Sequence, residues 1–230
     1  MRKTLAMILC LLMLVVSAAA AEGAITVNQE VLQVIETSYS TYGMLYAKVE
    51  NTGDAPIALG DGTLAIFDAD NAILATSDYV STIPYNAILE PGDYVYLRDT
   101  TYFDDGVTAA DVGMHMFSIK EYDYDGYPFV KVPCEAAMNF ENEEHYGDYI
   151  DVTITNSLDY VMYDFRVAVA LYDAEGNLIY VNYDYDDSIG LHPGSTMTMM
   201  VYVDSDVLDY CEANGIVPTT VDAYAYYTVD

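Results

Sequence analysis

An eleven-residue segment of this chain occurs twice, and the repetition constrains the fold more than any other feature. Residues 64–74, LAIFDADNAIL, are echoed by residues 169–179, VALYDAEGNLI, with equivalent positions 105 apart, as Asp68 and Asp173 are. Each copy reads as a strand, an acidic turn and a second strand, because apolar runs rich in Ile, Leu, Val and aromatics are bounded by Asp, Asn and Gly. The repetition is not confined to the hairpin. Leu45, Ala47 and Val49 alternate with Met44, Tyr46 and Lys48 and end at a turn over 51–54, the period of two of a half-buried strand. Ile150, Val152, Ile154 and the turn at Asn156-Ser157 repeat that strand at the same offset. A Pro-Gly turn then follows each hairpin, at 89–93 and 191–195, now 102 apart. Three residues have gone from a connecting loop, where changes of length are tolerated.

The expected fold class is therefore all-β: two tandem Ig-like antiparallel β-sandwiches from an internal duplication, with a short helix near the end of the second. About seven to nine short strands per unit, with turns every eight to twelve residues, suit that fold, and the absence of crossover helices argues against a parallel sheet. The first strand is expected over 31–35. For the helix, Ser205 or Asp206 is the expected cap, Val207, Leu208 and Cys211 form the apolar stripe, and Asn214-Gly215 end it. A weaker equivalent is expected over 108–112. Residues 1–21 read as a secretory signal peptide, with Arg2 and Lys3 before an apolar run over 5–16 and small residues over 17–21. That run is too short to span a bilayer, which takes about 20 apolar residues. The first sandwich is then 22–126 and the second 127–230, and so short a boundary suggests units packed end to end.

Charge narrows the partners. The chain carries a formal −30, and loss of Arg2 and Lys3 with the signal moves it to −32. Such a polyanion repels phosphate backbones, so neither nucleic acid nor, after signal cleavage, a membrane is an expected partner. Localisation is expected to be secreted or extracytoplasmic. Cys134 and Cys211 remain in the second copy, either as a disulfide, which export permits, or as two buried thiols.

The second hairpin resembles the F-x-L-Y-D domain family, small Ig-like modules of exported bacterial and archaeal proteins. The match is Leu171-Tyr172-Asp173, with Val169 where the family has Phe. The first copy is looser, with Leu64, Ile66, Phe67 and Asp68, while Asn156 and Leu191 with Pro193-Gly194 also fit. The resemblance implies an accessory or envelope role and brings no catalytic residues.

Chemistry is sparse. His115, His145 and His192 are far apart and outside metal-ligand spacings, and no nucleophile elbow, zinc motif, phosphate loop or Cys-x-x-Cys is present. Asp68 and Asp173 offer carboxylates to Ca²⁺, but turn hydrogen bonding accounts for Asp and Asn there. Catalytic residues, metal and cofactor are therefore all expected to be none. The unusual feature is tyrosine, 24 residues against no tryptophan. Two runs alternate ring and carboxylate, Tyr122-Asp123-Tyr124-Asp125 and Tyr183-Asp184-Tyr185-Asp186, so in a strand the rings share one face. A face turned inward is core packing; one turned outward is a platform for sugars or peptides. Tyr122, Tyr124, Tyr183 and Tyr185 are accordingly the candidate binding residues of a non-catalytic module for an envelope protein or glycan. A purely structural spacer and a carboxylate-dependent hydrolase are the alternatives.

Overall fold

A computed structural model describes residues 22–122, 127–140 and 147–228 of the chain. Residues 1–21, Tyr124 and His145 lie outside these residues. The described chain is mostly β, and every ladder between its strands is antiparallel.

The N-terminal half supplies β1 (Ile25–Glu36), β2 (Thr41–Asn51), β3 (Ile57–Ala58), β4 (Gly62–Phe67), β5 (Ile73–Ile83), β6 (Ile88–Leu89), β7 (Tyr94–Tyr102) and β8 (Met114–Ser118). Six of them form one sheet in the order β1-β2-β7-β5-β4-β8. Strand β5 is the joint: its first part pairs with β4, and Ser81, Thr82 and Ile83 pair with β7. The sheet folds over there, and Leu45, Ala47 and Val49 pack in one buried cluster with Leu64, Ile66, Val95 and Leu97.

The C-terminal half contributes β9 (Phe129–Val132), β10 (Cys134–Asn139), β11 (Tyr149–Thr155), β12 (Phe165–Tyr172), β13 (Leu178–Asp186), β14 (Thr196–Tyr202), α1 (Ser205–Asn214) and β15 (Thr220–Thr228). These strands make a three-stranded sheet, β10-β11-β14, and a four-stranded sheet, β13-β12-β15-β9. Pro133 separates β9 from β10, and the two strands belong to different sheets. A residue with no N–H is suited to the point where a ladder is abandoned.

Two buried asparagines hold the turns. Asn51 donates from Nδ2 to the carbonyls of Ala55 (2.8 Å) and Leu89 (2.9 Å), and its Oδ1 accepts from the Gly53 amide (3.0 Å). Asn156 does the same toward Tyr160 (2.9 Å), Leu191 (2.6 Å) and the Leu158 amide (2.9 Å). Each also ties its backbone to a Pro-Gly turn. The Asn51 amide donates to Asp93 and its carbonyl accepts from Gly92, while Asn156 pairs in the same way with Ser195 and Gly194. In the hairpins, Asp68 Oδ1 accepts from the Asp70 and Ala72 amides, and Asp173 Oδ1 from those of Glu175 and Asn177. The left-handed position falls at Asn71 (φ 64°) in one hairpin and at Gly176 (φ 81°) in the other, the two residue types that adopt it at least cost.

Some expectations are corrected. The first strand begins at Ile25 and runs to Glu36, longer than 31–35. The cap of α1 is Asp204, whose side chain accepts from the Asp206 amide, one residue earlier than expected; Val207 and Cys211 are buried and Gly215 ends the helix at φ 68°. The weaker equivalent is a single 3-10 turn, Ala109–Asp111, with Thr108 and Asp111 in a capping box. Strand β2 is not half-buried, since Met44 and Tyr46 are as buried as Leu45 and Ala47. The two halves do not sit end to end; sheet lies on sheet, and one continuous buried cluster joins Tyr42, Met44, Tyr46, Ile83 and Tyr96 to the C-terminal core.

Cys134 and Cys211 are free thiols. Burial pushes the Cys211 thiol up to about 11 and raises that of Cys134, which leaves little thiolate at neutral pH. Alkylation of the unfolded, unreduced protein should label both cysteines, whereas the folded protein should label slowly; a mass that changes only after reduction would reveal a bridge. Replacing Asn156 by alanine removes a hydrogen bond from the buried Leu191 carbonyl, the part-buried Tyr160 carbonyl and the Leu158 amide, so urea unfolding should show a loss of about 3 kcal/mol. Asn51→Ala should match it.

Candidate functional site

The register of β2 and β7 places Tyr42, Met44, Tyr46 and Lys48 on one face with Tyr94, Tyr96, Arg98 and Thr100, because cross-strand partners in a pleated sheet share a face. The register of the four-stranded sheet does likewise for Arg166, Ala168, Ala170 and Tyr172 with Asp222, Tyr224 and Tyr226. These two faces meet, and polar tips settle the contact. Asp222 accepts from the phenols of Tyr94 (2.8 Å) and Tyr96 (2.5 Å), while the Tyr96 hydroxyl also lies 2.8 Å from that of Tyr172. Tyr224 donates to the Ile83 carbonyl. The rings of Tyr96 and Tyr224 stack with centroids 5.8 Å apart, and Tyr46 meets Tyr180 edge-on at 5.4 Å.

Both lysines of the junction are spoken for. Lys48 and Lys131 lie 3.9 and 4.0 Å from the centroid of Tyr94, and Lys131 also donates to the Tyr94 carbonyl (2.6 Å) and lies 3.9 Å from Asp93. Desolvation lowers the Lys131 pKa against the pull of Asp93 and Asp222.

At one end of the junction the two halves part into a groove of about 630 Å³. Strand β5 and the loop after it supply Tyr79 and Tyr85, β7 supplies Arg98 and Asp99, β12 supplies Arg166, and β13 supplies Asn182, Tyr183, Asp184 and Tyr185. The four rings are open to solvent, from 43 % for Tyr183 to 75 % for Tyr79. Arg98 donates to Asn182 Oδ1, and the Arg166 guanidinium lies 5.7 Å from the Tyr185 centroid. Neither arginine has a carboxylate within ion-pair distance among the described residues. Asp99 accepts from the Thr101 hydroxyl (2.7 Å) and Asp184 from the Tyr185 amide (2.8 Å). Just beyond, Asp61 accepts from Ser81 (3.3 Å) and Tyr85 (3.4 Å).

The expected site residues are thus divided. Tyr183 and Tyr185 lie together in the groove, and both rings are exposed. Tyr122 is also exposed, but it does not line the groove: its backbone amide donates to Ala58, and its ring rests on Gly60. Tyr124 falls outside the described residues. Sequence reasoning missed Tyr79, Tyr85, Arg98 and Arg166. The sequence held a clue to the arginines, since after residue 21 the chain has only Lys48, Arg98, Lys120, Lys131 and Arg166 as basic residues besides histidine. Elsewhere, His115 pairs with Glu30 at 3.1 Å and His192 lies on the surface. The Asp173 carboxylate is held below its usual range, mainly by the Asn177 side chain and amide, so it is occupied by its own turn.

No protein-family model matches the chain, and no curated protein is significantly similar to it.

The junction generates a pH prediction. Burial, assisted by Asp222 in the case of Tyr94, raises the phenols of Tyr46, Tyr94, Tyr96, Tyr224 and Tyr226, and burial pushes Tyr180 up to about 12. The unfolded chain ionises these groups near pH 10 and the folded chain does not, so above that pH the unfolded state binds fewer protons. Stability is fully present below pH 10 and falls as pH rises, by about 1.4 kcal/mol per unit for each phenol still held neutral. In an alkaline titration, exposed tyrosines should ionise first and reversibly. The junction tyrosines should ionise together, with loss of the β circular dichroism signal.

Proposed function

We propose that the protein is a non-catalytic extracytoplasmic module that binds a protein or glycan of the cell envelope, built from two tandem Ig-like sandwiches of one duplicated ancestor. The duplication is supported by equivalent hydrogen bonds at Asn51 and Asn156, at Asp68 and Asp173, and at the two Pro-Gly turns. The F-x-L-Y-D-like hairpin and the division of the C-terminal half into sheets of three and four strands favour Ig-like units.

The observation that carries the binding role is the groove. Exposed large rings gathered in a concavity mark a recognition surface far more often than a tolerated accident, and Tyr79, Tyr85, Tyr183 and Tyr185 converge there from both halves. A spacer has no need of them.

Retention of the purified protein on envelope material should fall sharply in Tyr183→Ser/Tyr185→Ser while its thermal unfolding stays within a degree or two. A drop of several degrees with no separate loss of retention would assign these rings to packing and return the protein to the spacer class.

A further inference from the structure

We infer that the groove at the junction takes a neutral oligosaccharide. This rests on the binding role above and specifies the ligand. The argument begins with charge: in a chain of formal charge −30, the groove is lined by two arginines and two aspartates, and so is balanced. Arg98 and Arg166 are not closed off by ion pairs with Asp99 and Asp184 among the described residues. A polyanionic ligand would meet both the overall field and these two carboxylates. A cationic peptide would suit the field but would have to desolvate against two guanidiniums.

A sugar has neither difficulty. Its hydroxyls donate to carboxylate oxygens and accept from guanidinium N–H groups at the same time, so a lining of both signs is an asset. Its C–H faces need flat, rigid, partly apolar surfaces, which Tyr79, Tyr85, Tyr183 and Tyr185 offer at low cost in side-chain entropy. Asn182 also lines the groove, where its amide accepts from Arg98 and donates to the Tyr202 carbonyl. About 630 Å³ is within the range of small-ligand sites and suits a few sugar units better than a folded partner, whose interface would demand a broad surface.

The test is a glycan microarray printed with neutral and uronate oligosaccharides, probed with the full protein and followed by affinity electrophoresis through soluble galactomannan, xyloglucan and polygalacturonate. Binding should be confined to one or a few neutral glycans, weakened roughly tenfold by Tyr185→Ser and further by Tyr183→Ser/Tyr185→Ser, and reduced in Arg98→Gln and Arg166→Gln with unfolding temperatures unchanged. Binding to uronates alone, or neutral binding that the groove variants leave intact, would overturn the inference. If no glycan binds but envelope retention still depends on Tyr183 and Tyr185, the ligand class is wrong and the binding role survives. If neither occurs, both readings fail.

Discussion

A sheet face made of tyrosine needs cover that also accepts its hydroxyls, and the whole arrangement of this protein answers that demand. Tyr46 and Tyr96 have no exposed surface, and the N-terminal half has nothing of its own to place over them. The C-terminal half provides Tyr180 and Tyr224 as partner rings, with Asp222 as a single carboxylate shared by two phenols. Leaving such hydroxyls buried without acceptors would cost about 1–3 kcal/mol each. Beside this contact, Gln29 bonds through both ends of its amide to Gly176 and Leu178, and Gln33 donates to Ile179. The halves are thereby fixed in register as well as pressed together.

Much of the local architecture was legible because local rules govern it. The acidic hairpins, the Pro-Gly turns and the C-terminal stop of the helix depend on residues within a few positions of one another, and the strand-end asparagines do so in part, through Gly53 and Ala55 and through Leu158 and Tyr160. The junction was not legible. Alternation in β2 shows that Met44, Tyr46 and Lys48 share a face, but it carries no information on whether a second sheet lies above that face. The same gap hid the groove. Tyr183 and Tyr185 stood out as a run, whereas Arg98, Arg166, Tyr79 and Tyr85 come from separate strands and a loop and acquire meaning only when sheet pairing and the junction bring them together.

The groove is a by-product of how the junction ends. Along β12 the face toward the N-terminal half passes from Tyr172 through the fully buried Ala170 and Ala168 to the exposed Arg166. Cover stops one step before that arginine. On the neighbouring β13, burial gives way to exposure at Tyr183 and Tyr185 in the same region. Rings that would complete the inter-sheet packing are left facing solvent, beside the only two arginines after residue 21. Geometry set by stability in one place thus leaves an open aromatic groove in the next.

The strand 105 residues beyond β2 carries a different face. Where β2 carries Tyr46 and Lys48, β11 carries Asp151 and Thr153 at the 105-residue offset. There Thr153 bonds to Thr198, Thr155 to Thr196, and Asp151 accepts from Asn139. Were that sheet as aromatic as its counterpart, each molecule would present a donor face and an acceptor face for the same contact, the head-to-tail arrangement that grows into open filaments. A ladder of hydroxyls and a carboxylate in its place satisfies its own hydrogen bonds, so the aromatic contact is made once, inside a single chain.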